Sequence, residues 1–182
     1  MNTSQFVLSL IRASEGKIQG RTLLQKRGYF VSLLTGLSPN LGYQAHFYGP
    51  YSATLDGTLT QMKNLGFIEE GTTGFGVVSG GFEVRRYDYS LTEDGEKVLQ
   101  PFSKTAEYQH IEAAIRKIQE AGDPDYVELS IAAKAFFILQ KQQKGMTAAE
   151  LLKEATKFNW NIPEHSLGRA VAFLTKVGLT AG

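Results

Sequence analysis

The feature that most constrains this chain is a change of period at Gly66. Before it, Leu55, Leu59, Met62 and Leu65 recur at helical spacing and mark one apolar stripe. After it, Phe67 and Ile68 open an extended segment, and GTTGFGVVSGG at 71–81 has the glycine content of a hairpin tip. VRRYDYSL then returns with alternation, placing Tyr87, Tyr89 and Leu91 on one face and Arg86 and Asp88 on the other. A helix followed at once by an antiparallel ribbon is the expectation, with the hairpin running from 67–70 to 84–91 beside helix 52–65.

Upstream, Phe6, Val7, Leu10 and Ile11 share a helical face within residues 3–13, and Ile18 suits a brief strand between Gly16 and Gly20. RTLLQKRGYFVSLLTG predicts a second helix, in which Gly28 lowers propensity without forcing a break. Residues 36–46 read as a loop around Pro39. In HFYGPYS, Pro50 suits a helix start and Ser52 an N-cap, with the flanking tyrosines packing the turn inward. Thr92 caps a helix from about Glu93. The order helix, strand, helix, helix, strand, hairpin, strand is that of a winged helix-turn-helix.

LLQKRGYF, FYGPYS and LGFIEE together resemble the YwgA-like bacterial proteins, over roughly residues 3 to 100. The most specific stretch is Tyr48, Gly49, Pro50, Tyr51 and Ser52. The resemblance implies a winged-helix core with a YGPYS turn, and carries no catalytic role with it. The expected division is a winged helix-turn-helix at 1–101 and a helical domain at 102–182. That second part is expected from apolar periods at 103–121 and 126–143, the capping box of Thr147 with Glu150, and Pro163 opening a last helix. A shift of 112 positions lays Leu55, Leu59, Met62 and Leu65 on Leu167, Val171, Leu174 and Val177, which suggests a second, wingless trihelical unit. Any two amphipathic helices ending in glycine align comparably.

Catalytic readings find little support. Cysteine is absent, which removes disulfides, thiolate ligands and thiol nucleophiles. His46, His110 and His165 are unpaired in spacing, and HExxH does not occur. Ser52 lacks a nucleophile elbow, and the glycines at 71, 74, 76, 80 and 81 have neither a following GK[ST] nor dinucleotide spacing. No enzyme activity, metal or cofactor is expected. The N-terminal apolar stretch is too short for a membrane span and lacks a signal peptide's basic region, so a cytoplasmic protein is expected.

A formal net charge of +1 neither requires nor forbids a nucleic-acid partner. In a winged helix the third helix enters the major groove, with Thr54, Asp56, Thr58, Gln61, Lys63 and Asn64 facing outward. Gln61 and Asn64 have the chemistry to read base edges and Lys63 to meet a phosphate or guanine. Arg85 and Arg86 at the ribbon's base, with Arg21, Lys26 and Arg27 on the preceding helix, extend a positive rim, while Asp56 opposes phosphate. Arg169, Lys176 and Lys157 offer the second unit a similar set. The expectation is a DNA-binding transcriptional regulator or regulatory subunit on double-stranded DNA. The alternative is a protein-interaction or oligomerisation module without DNA contact, using Phe75 and Phe82, with Phe47, Tyr48 and Tyr51 as further exposed aromatics, to join a second copy or another protein. Trp160 either joins that surface or staples the loop before the last helix.

Overall fold

A computed structural model describes residues 1–37, 39–77 and 83–180, with side chains throughout except at 73–77 and 83–85. The chain begins with α1 (Thr3–Ala13), β1 (Lys17–Gln19) and α2 (Arg21–Thr35). A small ribbon follows, β2 (Gln44–His46) with β3 (Gly49–Tyr51), and leads directly into α3 (Ala53–Asn64). Next come β4 (Ile68–Val77), β5 (Glu83–Leu91) and α4 (Glu93–Leu99). A single 3-10 turn, Phe102–Lys104, precedes α5 (Ala106–Glu120), α6 (Tyr126–Gln142), α7 (Ala148–Thr156) and α8 (Glu164–Lys176). The protein is thus mainly helical with a small antiparallel sheet.

The sheet order is β1-β5-β4, all antiparallel, with Ile18 opposite Tyr89 and Ile68 opposite Leu91. The period change at Gly66 is seen as anticipated: Gly66 takes φ +76° and α3 gives way to β4 within four residues. Leu65 departs from the stripe. It caps the helix and is 55% exposed, because the chain turns away before a fourth apolar position can reach the core. The alternation in β5 also departs from expectation. Tyr89 and Asp88 are both buried while Tyr87 faces solvent, since Asp88 lies under Lys17 and Arg86.

Pro50 lies within β3, not at the helix start. It pairs with Ala45 on an edge of the two-stranded ribbon, where a missing backbone donor is tolerated. The helix is capped two residues later by Ser52, whose hydroxyl accepts the Leu55 amide.

One hydrophobic cluster runs through both halves of the chain. Phe6, Leu10 and Ile11 of α1, Leu24 and Phe30 of α2, and Leu55 and Leu59 of α3 join Ile111 and Ile118 of α5, Leu129 and Ile138 of α6, and Leu167 and Leu174 of α8. Each such side chain contributes roughly 1.5–3 kcal/mol on burial. Phe30 meets Phe173 of α8 edge to face at 5.2 Å, tying α2 to the C-terminal helices. Gly28 lets α3 close on α2: a Cβ there would lie 2.9 Å from the Tyr43 hydroxyl and 3.0 Å from Leu55 Cδ2. Of the four positions matched by the shift of 112, Leu55 and Leu167 are both buried, as are Met62 and Leu174. Leu59 is buried where Val171 is 42% exposed, and Val177 is buried where Leu65 is not.

Candidate nucleic-acid interface and the docked hairpin

Helix α3 buries Leu55, Leu59 and Met62, and turns Thr54, Gly57, Thr60, Gln61 and Asn64 to solvent. Asp56, Thr58 and Lys63 are half-buried at the edges of that face. The charges near it are paired. Arg21 Nη1 meets Asp56 Oδ1 at 3.0 Å, and Arg21 Nε donates to the Tyr89 hydroxyl. Lys63 Nζ meets Glu70 Oε1 at 2.6 Å. Burial works against the Glu70 carboxylate, but hydrogen bonds from Lys63 and Tyr89 outweigh it and hold its pKa below the ordinary value.

On the sheet, Arg86 Nε lies 2.8 Å from Asp88 Oδ1 and Lys17 Nζ 3.2 Å from Oδ2. Burial again opposes ionisation of Asp88, and the hydrogen bonds from Arg86 and Lys17 overcome it, so its pKa is lowered. Arg85 stands opposite Gly74 in the ladder. Its side chain and that of Phe75 lie outside the described residues, as does all of Phe82. Gln61, Lys63 and Asn64 therefore share one end of α3, with Arg85 and Arg86 on the neighbouring ribbon, and Lys63 and Arg86 each hold a carboxylate.

The rim expected from α2 is absent at two of its three positions. Lys26 and Arg27 are buried, and Arg27 Nη2 is bound to Asp123 at 2.9 Å. Eight consecutive residues of α2, from Leu24 to Val31, are buried, because this helix is packed on every side. A helix enclosed all round buries its charged positions too, and the QKR run at 25–27 concealed that in the sequence.

What the burial of Lys26 achieves is visible at the YGPYS hairpin. Lys26 Nζ donates to the Pro50 carbonyl at 2.6 Å. Gln25 holds both backbone groups of Ser52: its Nε2 donates to the Ser52 carbonyl and its Oε1 accepts the Ser52 amide, each at 3.0 Å. The Ser52 hydroxyl donates to the Leu41 carbonyl. From the other side, Trp160 Nε1 donates to the His46 carbonyl at 2.6 Å, its ring stacked on Phe158 and beside Phe137. Trp160 is buried and acts as the staple. Gly49 takes φ +97°, and a Cβ on it would stand 3.0 Å from Lys134 Cγ.

The hairpin's turn residues point outward. Phe47 and Tyr48 are 70% and 57% exposed, with ring centroids 5.0 Å apart, so Tyr48 does not pack the turn inward and is instead one of the exposed aromatics of the alternative reading. Beneath Tyr48 lies a cavity of about 170 Å³ walled by Arg21, Thr22, Gln25, Lys26, His46, Tyr48 and Tyr51. Burial, with Lys134 nearby, pulls the Lys26 pKa down to about 7; no carboxylate among the described residues pairs with it. The sequence offered Lys26 only as part of a positive rim; its burial and the cavity were not legible there.

Among the described residues no three metal-ligating side chains converge, and no helix is long and apolar enough to cross a membrane. No family model matches the chain. It is similar to the uncharacterized protein YwgA of Bacillus subtilis, 37% identical over 92 residues, which is 50% of this chain and 51% of that protein. The chain thus spans about half the length of the curated relative it matches.

Proposed function

We propose that residues 1–101 form a winged helix-turn-helix of the YwgA-like kind that binds double-stranded DNA as a transcriptional regulator or regulatory subunit, with 102–182 as a helical domain buttressing α2. The observation that carries the reading is the outer face of α3, where Thr54, Gln61 and Asn64 are exposed and the one acid, Asp56, is held by Arg21. The order of elements and the placing of β1 beside β5 support it, because they set the β4–β5 ribbon next to α3 as a wing. Gln61 and Asn64 read base edges, and Lys63, Arg85 and Arg86 meet phosphates.

The test is a duplex titration over a range of salt with the full chain. Gln61→Ala and Asn64→Ala should each change preference among duplexes by about 1–3 kcal/mol while nonspecific affinity survives. Charge reversal at Arg85 should weaken binding to every duplex. No binding at low salt to a varied pool of duplexes would overturn the reading.

A second reading rests on Phe47 and Tyr48. Two exposed aromatic rings on a hairpin anchored from both sides form a rigid contact point for a second copy or another protein. Polar replacements at Phe47 and Tyr48 that dissociate an oligomer, with α3 variants silent, would favour it; Phe75 and Phe82 remain candidates for the same role.

A further inference from the structure

We propose that the cavity beneath Tyr48 is a phosphate-binding site, with Lys26 at its base and Arg21, Thr22 and the start of α2 as the other donors. The inference stands apart from the duplex reading, because the phosphate is either that of a nucleic-acid backbone or that of a free phosphate-bearing molecule.

Three observations converge. Lys26 is 2% exposed and uses one donor, on the Pro50 carbonyl, leaving two N–H groups of a buried ammonium. A buried cation is stable only when paired or hydrogen-bonded on several sides, and the described residues supply it no carboxylate. Its neighbour Lys134 repels it and has its own pKa lowered by burial. An oxyanion is the group that would complete this surrounding.

The second observation is the N-terminus of α2. Its N-cap is Gly20, which offers no side-chain acceptor, so the first amides of this 15-residue helix carry no side-chain cap, and the residues at its start, Arg21 and Thr22, line the cavity. The third is the set of side chains around the opening. Arg21 spends Nη1 on Asp56 and Nε on Tyr89, which leaves further guanidinium donors. Thr22, Tyr48 and His46 complete the lining. Two groups there are already committed: Gln25 to the Ser52 backbone, and the Tyr51 hydroxyl to Asp56. Two acids lie near Arg21: Asp56, which Arg21 and Tyr51 both engage, and Glu70, which Lys63 holds. The cavity volume, about 170 Å³, accommodates a phosphate group. The larger part of any organic phosphate would extend past Tyr48 into solvent.

Inorganic phosphate is the probe, titrated into the full chain at constant ionic strength with chloride as the balancing anion, and followed by the amide resonances of Thr22 and Leu23. Saturable shifts are expected. They should weaken about tenfold or more in Lys26→Gln. The paired variant Arg21→Gln with Asp56→Asn removes a surface cation and its partner together, so no stranded carboxylate confuses the result; it should weaken binding as well. If Lys26→Gln does not fold, the paired variant and Thr22→Val decide. Absence of saturable shifts, or equal affinity in all variants, would overturn the site. Duplex titration of the same variants assigns the source. Loss of both phosphate and duplex affinity places a backbone phosphate here. Loss of phosphate affinity with duplex binding intact, or with no duplex binding in any form, assigns the site to a free phosphate-bearing molecule.

Discussion

Replacing Ser52 with alanine should cost far more than replacing Thr92, although both hydroxyls do the same two things. Ser52 Oγ accepts the Leu55 amide at the start of α3 and donates to the Leu41 carbonyl. Thr92 Oγ1 accepts the Gly95 amide at the start of α4 and donates to the Gly66 carbonyl. The difference is burial. Ser52, Leu41 and Leu55 are all buried, whereas Thr92 is partly exposed. At Thr92 water replaces both lost bonds, so the cost is that of an ordinary cap, about 1 kcal/mol. At Ser52 the cap is lost and the Leu41 carbonyl is stranded away from water, which adds about 1–3 kcal/mol. The sum is roughly 2–4 kcal/mol. Equilibrium urea unfolding at a common slope measures both, and Thr92→Ser serves to subtract the methyl group. Equal costs for Ser52→Ala and Thr92→Ala, within about 0.5 kcal/mol, would refute the burial argument.

Gly49→Ala should destabilise by about 1–3 kcal/mol, through the positive φ and the contact with Lys134, as read by the shift in urea midpoint; an unchanged midpoint would contradict the close approach. Trp160→Phe keeps the ring packing but removes the donor to the His46 carbonyl, a partly buried bond, and should cost about 0.5–1.5 kcal/mol and speed hydrogen exchange in β2–β3 selectively. Because Lys63 and Arg86 already hold carboxylates, duplex affinity should fall gently with salt, with a log–log slope of about −2 to −3; a slope steeper than about −5 would require cations that the ion pairs withhold. Lys26 has its folded pKa lowered from 10.5 to about 7, so between those values the unfolded chain binds more protons and stability should rise with pH, while below pH 7 this contribution is flat. Lys26→Met should reduce that rise, leaving the part that the lowered pKa of Lys134 contributes in the same direction; above about pH 10 the raised pKa values of Tyr29 and Tyr43 act in the opposite direction, so the window to compare is pH 7 to 10.

Local signals in the sequence located the helices and strands β1, β4 and β5, but not the β2–β3 ribbon, whose first strand, Gln44–His46, lies in the stretch read as a loop. The caps at Ser52, Thr92 and Thr147 and the period change at Gly66 are decided by nearest neighbours, so they could be read without tertiary information. Pro50 was misread because proline suits a helix start and an edge strand equally, and only pairing with Ala45 distinguishes the two. Asp88 and Lys26 were misread for a different reason. Polar letters in a strand or helix are assigned to the solvent face by default, yet Asp88 is covered by two cations from other positions and Lys26 by a hairpin. For the site, exposure of Gln61 and Asn64 followed from helical phase. Which cations stay unpaired depends on contacts such as Lys63 with Glu70 across the α3–β4 turn, which spacing alone does not rank.

Stability alone does not account for a lysine at position 26. A buried ammonium with a single carbonyl acceptor loses more hydration than one hydrogen bond returns, and a methionine of similar length would fill the same space without that loss. Gln25 and Ser52 already fix the hairpin's backbone through two reciprocal bonds, and Trp160 fixes it from the opposite side, so the Lys26 bond to Pro50 adds little that the hairpin lacks. The same hairpin leads directly into α3 through Ser52. A group that engaged Lys26 would therefore act on the segment that sets the direction of α3, with no intervening linker. The lysine makes physical sense as a binding residue placed at the root of the helix whose orientation matters most.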